Sequence, residues 1–133
     1  MKTIEIEAIP ENLDNVIAFV DEQLEAADCP MKTQMQIELA VEEIFVNIAY
    51  YAYSPGTGTA SVTVDTADGK ARITFEDSGV PYDPLAKEDP DVTLSANERA
   101  VGGLGIFMVK KSIDNMYYEY RESKNILTIE KTL

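Results

Sequence analysis

The chain has 133 residues, a length that corresponds to one domain large enough to bury a hydrophobic core. Its composition, 45% hydrophobic and 26% charged, excludes an intrinsically disordered chain. The formal net charge of −13 argues against a nucleic-acid-binding surface and suits a basic protein partner, so we expect a single globular domain over residues 1–133 that binds no nucleic acid.

The scarce residue types restrict the chemistry and the location. A single cysteine, Cys29, cannot form an internal disulfide, and a chain without histidine has no Cys/His cluster for zinc. The absence of histidine also excludes a Ser-His-Asp triad and a phosphohistidine intermediate. Because the first residues lack the apolar run of a secretion signal and no apolar stretch is long enough to cross a membrane, we expect a cytoplasmic protein.

The first half of the chain is predicted to form one strand and two helices. Residues 2–8 alternate between apolar and polar side chains, which indicates a half-buried strand at the edge of a sheet. Residues 11–27 carry apolar side chains at the spacing of an amphipathic helix. A long helix then begins at about Met31, directly after Pro30, and continues to the turn cluster at residues 54–58.

The second half is predicted to form two strand pairs, separated by a loop and a helix. Residues 60–66 and 71–77 alternate with the period of strands, and the Asp-Gly pair between them is a hairpin signal. Residues 80–100 are polar and contain three prolines, so we expect a long loop, which is uncommon in a compact domain unless it is functional. A helix follows the glycine-rich residues 101–105, and two strands around a turn at residues 122–125 close the chain.

This order of elements, β-α-α-β-β-loop-α-β-β, implies an α+β fold. We expect a two-layer α/β sandwich whose single sheet is mixed but mostly antiparallel and whose helices cover one face. A ligand would then bind between the helices and the long loop.

The long helix carries two polar residues that can act on one ligand. Glu43 and Asn47 are four residues apart, so they project from the same face of an α-helix, one turn from each other. Glu38 and Glu42 are expected to form the solvated side, and most other positions form a broad apolar stripe. Taken alone, the pair is equally explained by an exposed acid and an asparagine that caps the helix locally.

Asp77 stands at the end of the second hairpin strand, within Asp-Ser-Gly-Val-Pro-Tyr-Asp-Pro. A carboxylate at the end of a strand accepts a hydrogen bond from an amine, and Gly79 lets the backbone approach a flat ring closely. Taken alone, such a run is more often a turn, because Asp-Ser-Gly is ordinary turn chemistry, although two prolines and a tyrosine make this run less ordinary.

The third motif, Gly-Gly-Leu-Gly at residues 102–105, precedes a helix. Successive backbone N–H groups and a helix N-terminus both attract anions, so a phosphate can bind here. The run is neither a P-loop, which needs Gly-Lys-Ser/Thr, nor a dinucleotide-binding fingerprint, which needs a βαβ unit. On its own it is equally a flexible loop end.

Together and in this order, the three motifs resemble those of the histidine-kinase-like ATPase superfamily, also called GHKL or Bergerat-fold proteins. They are Glu-x-x-x-Asn on a helix, Asp-x-Gly-x-Pro-Tyr-Asp-Pro after a strand, and Gly-Gly-Leu-Gly-Ile-Phe before a helix. The resemblance covers nearly the whole chain and is closest to small anti-sigma-factor serine/threonine kinases, which phosphorylate an anti-anti-sigma partner of the STAS domain class. It implies a Bergerat ATP-binding fold, with ATP and Mg²⁺ as ligands.

The resemblance also implies a role for each motif. Glu43 would be the general base, and Asn47 would hold Mg²⁺ in the nucleotide site. Asp77 would bind the exocyclic amine of adenine, with Gly79 under the ring, and residues 85–100 would form a lid. The other nucleotide-binding positions that the resemblance implies are Pro81, Tyr82, Gly102, Gly103, Leu104 and Gly105.

Two positions depart from the pattern of these kinases. Tyr51 stands where they often carry histidine, and Val101 stands where some carry an arginine that neutralises the transferring phosphate. Arg99, Lys110 and Lys111 are the alternative cations. If none of them reaches the phosphate, transfer would be slowed by ~10³-fold or more, while nucleotide binding would survive.

Two hypotheses about function follow. In the first, the chain is an ATP-dependent serine/threonine kinase and anti-sigma factor that binds a sigma factor, a STAS-domain partner or both. In the second, it is a regulatory module that sequesters such a partner, with nucleotide as a structural ligand and no phosphoryl transfer. A third hypothesis, a stand-alone ATP hydrolase, has no sequence feature of its own. The resemblance also implies a homodimer through the sheet or through residues 2–27.

Overall fold

The apolar periodicities of the chain produce helices and strands in the expected order. The computed structural model describes residues 1–85 and 103–133. In chain order the elements are β1 (Lys2–Glu7), α1 (Leu13–Ala26), α2 (Met31–Asn47), β2 (Thr59–Ala67), β3 (Lys70–Asp77), α3 (Gly103–Ser112), β4 (Asn115–Arg121) and β5 (Lys124–Thr132). Every helix and strand that the sequence predicts is therefore present.

The strands form one five-stranded sheet in the order β1-β2-β3-β5-β4. Each pair of neighbouring strands in the described residues is antiparallel, and β1 lies at an edge of the sheet as expected. The β2–β3 hairpin has the predicted register, because Val62 pairs with Phe75 and Val64 with Ile73. The predicted fold class, an α+β two-layer sandwich, is confirmed.

All three helices pack on one face of this sheet. Phe45 of α2 and Phe75 of β3 are fully buried between the two layers. Each such side chain contributes about 1.5–3 kcal/mol by leaving water. The other core residues from these elements include Val16, Val20, Leu24, Ile37, Val41, Ile44, Val62, Val64, Ile73, Val109, Ile113, Leu127 and Ile129. In the part of the chain that the structure describes, none of the helices has the length and hydrophobicity needed to cross a bilayer.

The last turn of the long helix is irregular. The α-helix ends at Asn47, and the chain continues as a wider π-type turn from Ile48 to Ala52. The predicted continuous α-helix is therefore wrong over this segment. The carbonyl oxygen of Ala52 accepts a hydrogen bond from the Val80 N–H at 2.9 Å, which ties the end of the helix to the loop after β3. Wide turns of this kind occur frequently at functional sites.

The second hairpin is tighter than the sequence indicates. Its turn consists of Glu122 and Ser123, both with a left-handed backbone, φ 55° and 62°. Two residues in this conformation match the twist of the flanking strands, so β5 begins earlier than expected. The predicted turn at residues 122–125 is therefore wrong at its end, and Asn125 lies inside β5 on the same face as Leu127.

One acid of α2 lies against the neighbouring helix instead of on the expected solvated side. Glu38 is half-buried and forms a side-chain hydrogen bond with Asp21 of α1. This hydrogen bond, burial, and the negative charges of Asp21 and Glu25 raise the pKa of Glu38 to about 7. Oδ1 of Asp21 is buried and has no hydrogen-bond partner among the residues described. The raised pKa means that Glu38 keeps its proton to a higher pH, and this proton is the donor in the hydrogen bond that joins the two helices.

We expect the Glu38→Gln variant to remove part of the pH dependence of stability. The folded-state pKa of Glu38, about 7, lies above the unfolded value of roughly 4.3, so wild-type stability falls as pH rises through this interval and stays lower above it. An amide donates to Asp21 at every pH. Because the pair is partly screened by solvent, the variant should gain roughly 2–4 °C in Tm over wild type between pH 5 and pH 8.

Differential scanning calorimetry at the two pH values measures this gain. Glu22→Gln, at an exposed position of α1, is the control for loss of one negative charge and should not change the pH dependence. A Tm difference between Glu38→Gln and wild type that is the same at both pH values would contradict the raised pKa of Glu38.

Candidate functional site

A cavity of ≈ 360 Å³ lies between the end of α2, the loop after β3 and the beginning of β5. This volume is within the range of small-molecule sites, ~300–1,000 Å³. Asp77 and Asn125 are its buried polar groups, and most of the wall is apolar. The remaining lining residues are Ile44, Asn47, Ile48, Tyr51, Ala52, Phe75, Val80, Pro81, Tyr82, Pro84, Ile106, Tyr118 and Leu127.

Asp77 lines this cavity and has one carboxylate oxygen without a hydrogen bond from the described residues. The residue is the last of β3 and is 7% exposed. Its Oδ1 accepts the N–H of Gly79 at 2.9 Å and the Nδ2 of Asn125 at 2.9 Å. No hydrogen bond from the described residues engages Oδ2. The side chain is thus fixed through one oxygen, and the other is left as an acceptor for a ligand.

Asn125 is absent from the site residues that the sequence predicts. Its amide uses all of its polar atoms inside the protein: Nδ2 donates to Asp77 and, at 2.9 Å, to the carbonyl oxygen of Val80. Oδ1 accepts the hydroxyl of Tyr118 at 2.5 Å and the N–H of Tyr82 at 3.1 Å. The sequence does contain a pattern that could have identified Asn125, since it alternates with the inward residues Leu127 and Ile129 of β5. It is missed because residue 125 is assigned to the turn.

Glu43 and Asn47 contact each other as their spacing predicts. The Nδ2 of Asn47 donates to Oε1 of Glu43 at 3.2 Å, and this leaves Oδ1 of Asn47 as an oxygen that can bind a cation. A Cβ atom on Gly105 would collide with the carboxylate of Glu43, so this carboxylate lies directly against the first turn of α3. The first N–H groups of a helix attract anions, and the Glu43 carboxylate lies beside those of α3.

The loop that follows Asp77 is clamped to the end of α2. A Cβ atom on Gly79 would collide with the carbonyl oxygen of Ala52. The hydroxyl of Tyr53 accepts the N–H of Ser78 at 2.7 Å and donates to the carbonyl oxygen of Thr59 at 2.7 Å. Glycine is therefore required here by close backbone packing, in addition to the approach of a ligand ring that the sequence indicates.

The structure brings parts of all three motifs to one region. Pro81 and Tyr82 line the cavity beside Asp77 and Asn47. Gly103 is the first residue of α3, and the helix continues through Leu104 and Gly105. Gly102 lies outside the described residues, as do residues 86–100 of the predicted lid.

The two departures from the kinase pattern have different outcomes. Tyr51 lines the cavity and is 62% exposed. Val101 and the nearby Arg99 lie outside the described residues. The ammonium group of Lys111 is placed 5.3 Å from the centroid of the Phe107 ring, where it forms a cation–π contact.

The profile of the family described as histidine kinase-like ATPase domain matches residues 6–131. The chain therefore belongs to this family, as the sequence motifs predict, and membership implies ATP binding by the domain. Among proteins of known activity, the serine/threonine-protein kinase BtrW of Bordetella bronchiseptica is 24% identical over 99 residues, which are 74% of this chain and 70% of BtrW.

Two solved structures share the fold. The histidine kinase AdeS of Acinetobacter baumannii superposes with a TM-score of 0.57 over 99% of this chain and 68% of its own, at 13% identity. The histidine kinase domain of a blue-light-activated kinase from Erythrobacter litoralis gives a TM-score of 0.54 over 79% of this chain, at 21% identity. The match spans about half of that second chain, 46%. At these identities the likeness shows the fold alone.

The packing of Gly79 predicts that a methyl group added here lowers stability more than one added at Gly56. Gly79→Ala should destabilise the protein by about 1–3 kcal/mol, because the methyl group must separate the loop from the backbone of Ala52. Gly56→Ala is the matched control, since its Cβ would lie at an ordinary 3.5 Å from the nearest atom, the carbonyl oxygen of Tyr53. Urea unfolding measures both variants, and equal midpoints would contradict the close contact.

Proposed function

We propose that the chain is a cytoplasmic, ATP-dependent protein serine/threonine kinase of the anti-sigma class that phosphorylates a STAS-domain partner. Its family and its similarity to the serine/threonine-protein kinase BtrW support this proposal. The chain contains no histidine, so it cannot carry a phosphohistidine itself. The observation that carries the proposal is the carboxylate of Glu43, held by Asn47 against the start of α3 beside the cavity.

The cavity suits the adenine base of ATP. Its apolar walls fit an aromatic ring, and the free oxygen of Asp77 accepts a hydrogen bond from the exocyclic amine. The phosphates would extend towards the N-terminus of α3 at Gly103. Asn47 would hold Mg²⁺, which prefers oxygen ligands and supplies neutralisation of phosphoryl charge when bound.

In the proposed reaction, Glu43 acts as the general base. The hydroxyl oxygen of the acceptor serine or threonine bonds to the γ-phosphorus while the bond from that phosphorus to the β,γ-bridging oxygen breaks, which releases ADP. The hydroxyl proton passes to the Glu43 carboxylate. The hydrogen bond from Asn47 keeps this carboxylate in one orientation, as a base within reach of the attacking oxygen requires.

The Glu43→Gln variant separates catalysis from binding. An amide cannot accept the proton, so transfer to a candidate STAS protein should fall by roughly 10²–10⁴-fold, while the Kd for MgATP should stay within about twofold. Mass spectrometry of phosphoserine and phosphothreonine measures transfer, and calorimetry measures binding. Glu42→Gln, at the exposed neighbouring position, should transfer normally. Normal transfer by Glu43→Gln would show that another group is the base.

The second candidate function is a nucleotide-binding module that sequesters its partner without transfer. Two observations favour it: Tyr51 lines the cavity where the related kinases often carry histidine, and the ammonium group of Lys111 contacts Phe107. With tyrosine at position 51 the site lacks a titratable imidazole. The contact with Phe107 occupies the Lys111 ammonium group, which could otherwise face a phosphate. Tight binding of MgATP by the wild type with no phosphorylated partner would support the module.

The exposed side of α2 suits a protein acceptor. Met31, Met35 and Leu39 are spaced four residues apart and are 79%, 56% and 64% exposed, and Glu43 is the next residue of this series. Rows of large exposed apolar side chains usually mark binding surfaces, and methionine adapts well to partners. An acceptor that lies along this row would reach the catalytic carboxylate, and the net charge of −13 suits a basic one.

Removing the apolar row should weaken acceptor binding alone. For the double variant Met35→Gln, Leu39→Gln, we expect the KM for the STAS acceptor to rise by roughly tenfold or more, with an unchanged Kd for MgATP. Steady-state phosphorylation assays measure the KM. Ile126→Thr, on the sheet face opposite the helices, is the control for loss of an apolar side chain and should leave the KM unchanged. An unchanged KM in the double variant would assign acceptor docking to another surface.

A further inference from the structure

We propose that Asn125 determines the base specificity of the nucleotide site, because it fixes which oxygen of Asp77 faces the ligand and keeps that oxygen a hydrogen-bond acceptor. The inference rests on the proposed function, since it takes the cavity to be the base-binding site. Asn125 is a positioning residue in this role: it acts on the ligand through Asp77.

The orientation of the Asn125 amide follows from its neighbours. The Tyr82 N–H is a backbone donor, so the side-chain atom 3.1 Å from it must be the amide oxygen. The NH₂ group then faces the carbonyl oxygen of Val80 and Oδ1 of Asp77, both at 2.9 Å and both acceptors. Reversing the amide would place like atoms against each other at all of these contacts, so a single orientation is allowed.

This orientation determines what Asp77 offers to a base. Oδ1 of Asp77 receives N–H groups from Asn125 and Gly79, which leaves Oδ2 as the atom for a ligand. A base must therefore present a donor at this point. Adenine does so with its 6-amino group, whereas hypoxanthine and guanine present a 6-carbonyl oxygen that would face an acceptor. A buried acceptor left without a donor costs binding free energy, so the site should reject 6-oxopurines.

Replacing the amide of Asn125 by a carboxyl group should weaken the preference of the site for a base with a 6-amino group. Asn125→Asp places a second carboxyl oxygen about 2.9 Å from Oδ1 of Asp77. Two carboxyl groups at this separation repel each other when both are ionised, so the pair retains one shared proton up to a higher pH than an isolated carboxyl group does. The shared proton gives the pair a donor, which can satisfy a 6-carbonyl oxygen. At higher pH both groups ionise, the donor is lost, and the preference for an amine should return.

Among the residues that the structure describes, tyrosines and one carboxyl group face this position. On β4 they are Tyr118, whose hydroxyl bonds Asn125, and Tyr120; the loop after β3 contributes Tyr82 and Asp83. From α2 and its last turn, the amide of Asn47 and the phenol of Tyr51 line the cavity, and the part of α3 that lines it is apolar Ile106. Asp83 is present in wild type and variant alike, so a pH dependence found only in Asn125→Asp belongs to the pair with Asp77.

The experiment compares ATP with ITP, which carries a carbonyl oxygen in place of the 6-amino group. Calorimetry at pH 6 and pH 8 gives the ratio of the two Kd values for the full chain. Wild type should prefer ATP by roughly 10²-fold at both pH values. Asn125→Asp should lower this preference to within about tenfold at pH 6 and regain part of it at pH 8.

Asn115→Asp is the matched control. Asn115 also donates to a buried carboxylate, Oε1 of Glu130 at 3.4 Å, but on the outer face of the sheet. This variant adds the same charge beside a carboxyl group and should keep the wild-type ratio at both pH values. An equal loss of preference in Asn115→Asp would overturn the proposal, since the effect would then be one of net charge.

Three further results would also overturn the proposal or the function on which it rests. A folded Asn125→Asp variant that keeps the wild-type ratio at both pH values overturns the role of Asn125. If this variant does not fold, Tyr118→Phe replaces it: the loss of one bond to the amide oxygen should lower the preference several-fold, and an unchanged ratio overturns the proposal. Failure of the wild type to bind either nucleotide overturns the proposed function and this inference with it. Binding without transfer affects the kinase proposal alone.

Discussion

The candidate site depends on one close backbone contact between the helical layer and the sheet. The carbonyl oxygen of Ala52 accepts the N–H of Val80 at 2.9 Å, and Gly79 has no side chain to keep the two segments apart. The last carbonyl groups of a helix have no partner within the helix, and here the loop after β3 supplies one for Ala52. The widened turn therefore joins Asn47 on the helix to Asp77 on the sheet around one cavity.

A second glycine, Gly105, allows an equally close approach between two elements at the other end of the site. Because Gly105 has no Cβ, α3 packs close enough to α2 for the Glu43 carboxylate to lie against its first turn. The carboxylate is partly buried there, and a buried charge requires compensation. Asn47 supplies a hydrogen bond, and the N–H groups at the start of the helix supply a favourable dipole. Gly79 and Gly105 thus allow the close approaches that place Asp77 and Glu43 in the site.

Much of this arrangement follows from local sequence patterns. Periodicity predicts the elements, and the three motifs predict that Glu43, Asp77 and the start of α3 converge. The widened turn is not predicted, because Ala-Tyr-Tyr-Ala is compatible with a regular helix and the bond from Val80 to Ala52 joins residues that are far apart in the sequence. Asn125 is not predicted because a two-residue turn of glutamate and serine with positive φ is uncommon for residues other than glycine, so the sequence favours a longer loop.

The two acidic groups of the site differ in what surrounds them, and this difference matches the two tasks that the proposed function assigns to them, selecting a base and accepting a proton. Asp77 receives two N–H groups on one oxygen from residues that are themselves fixed, so its geometry is rigid and its remaining oxygen is available to a ligand. Glu43 receives a single amide N–H, and its other neighbour is the backbone of Gly105. One hydrogen bond on Oε1 orients the Glu43 carboxylate and leaves its second oxygen for a proton, as the proposed base requires, whereas two bonds on one oxygen of Asp77 hold a specificity contact in place.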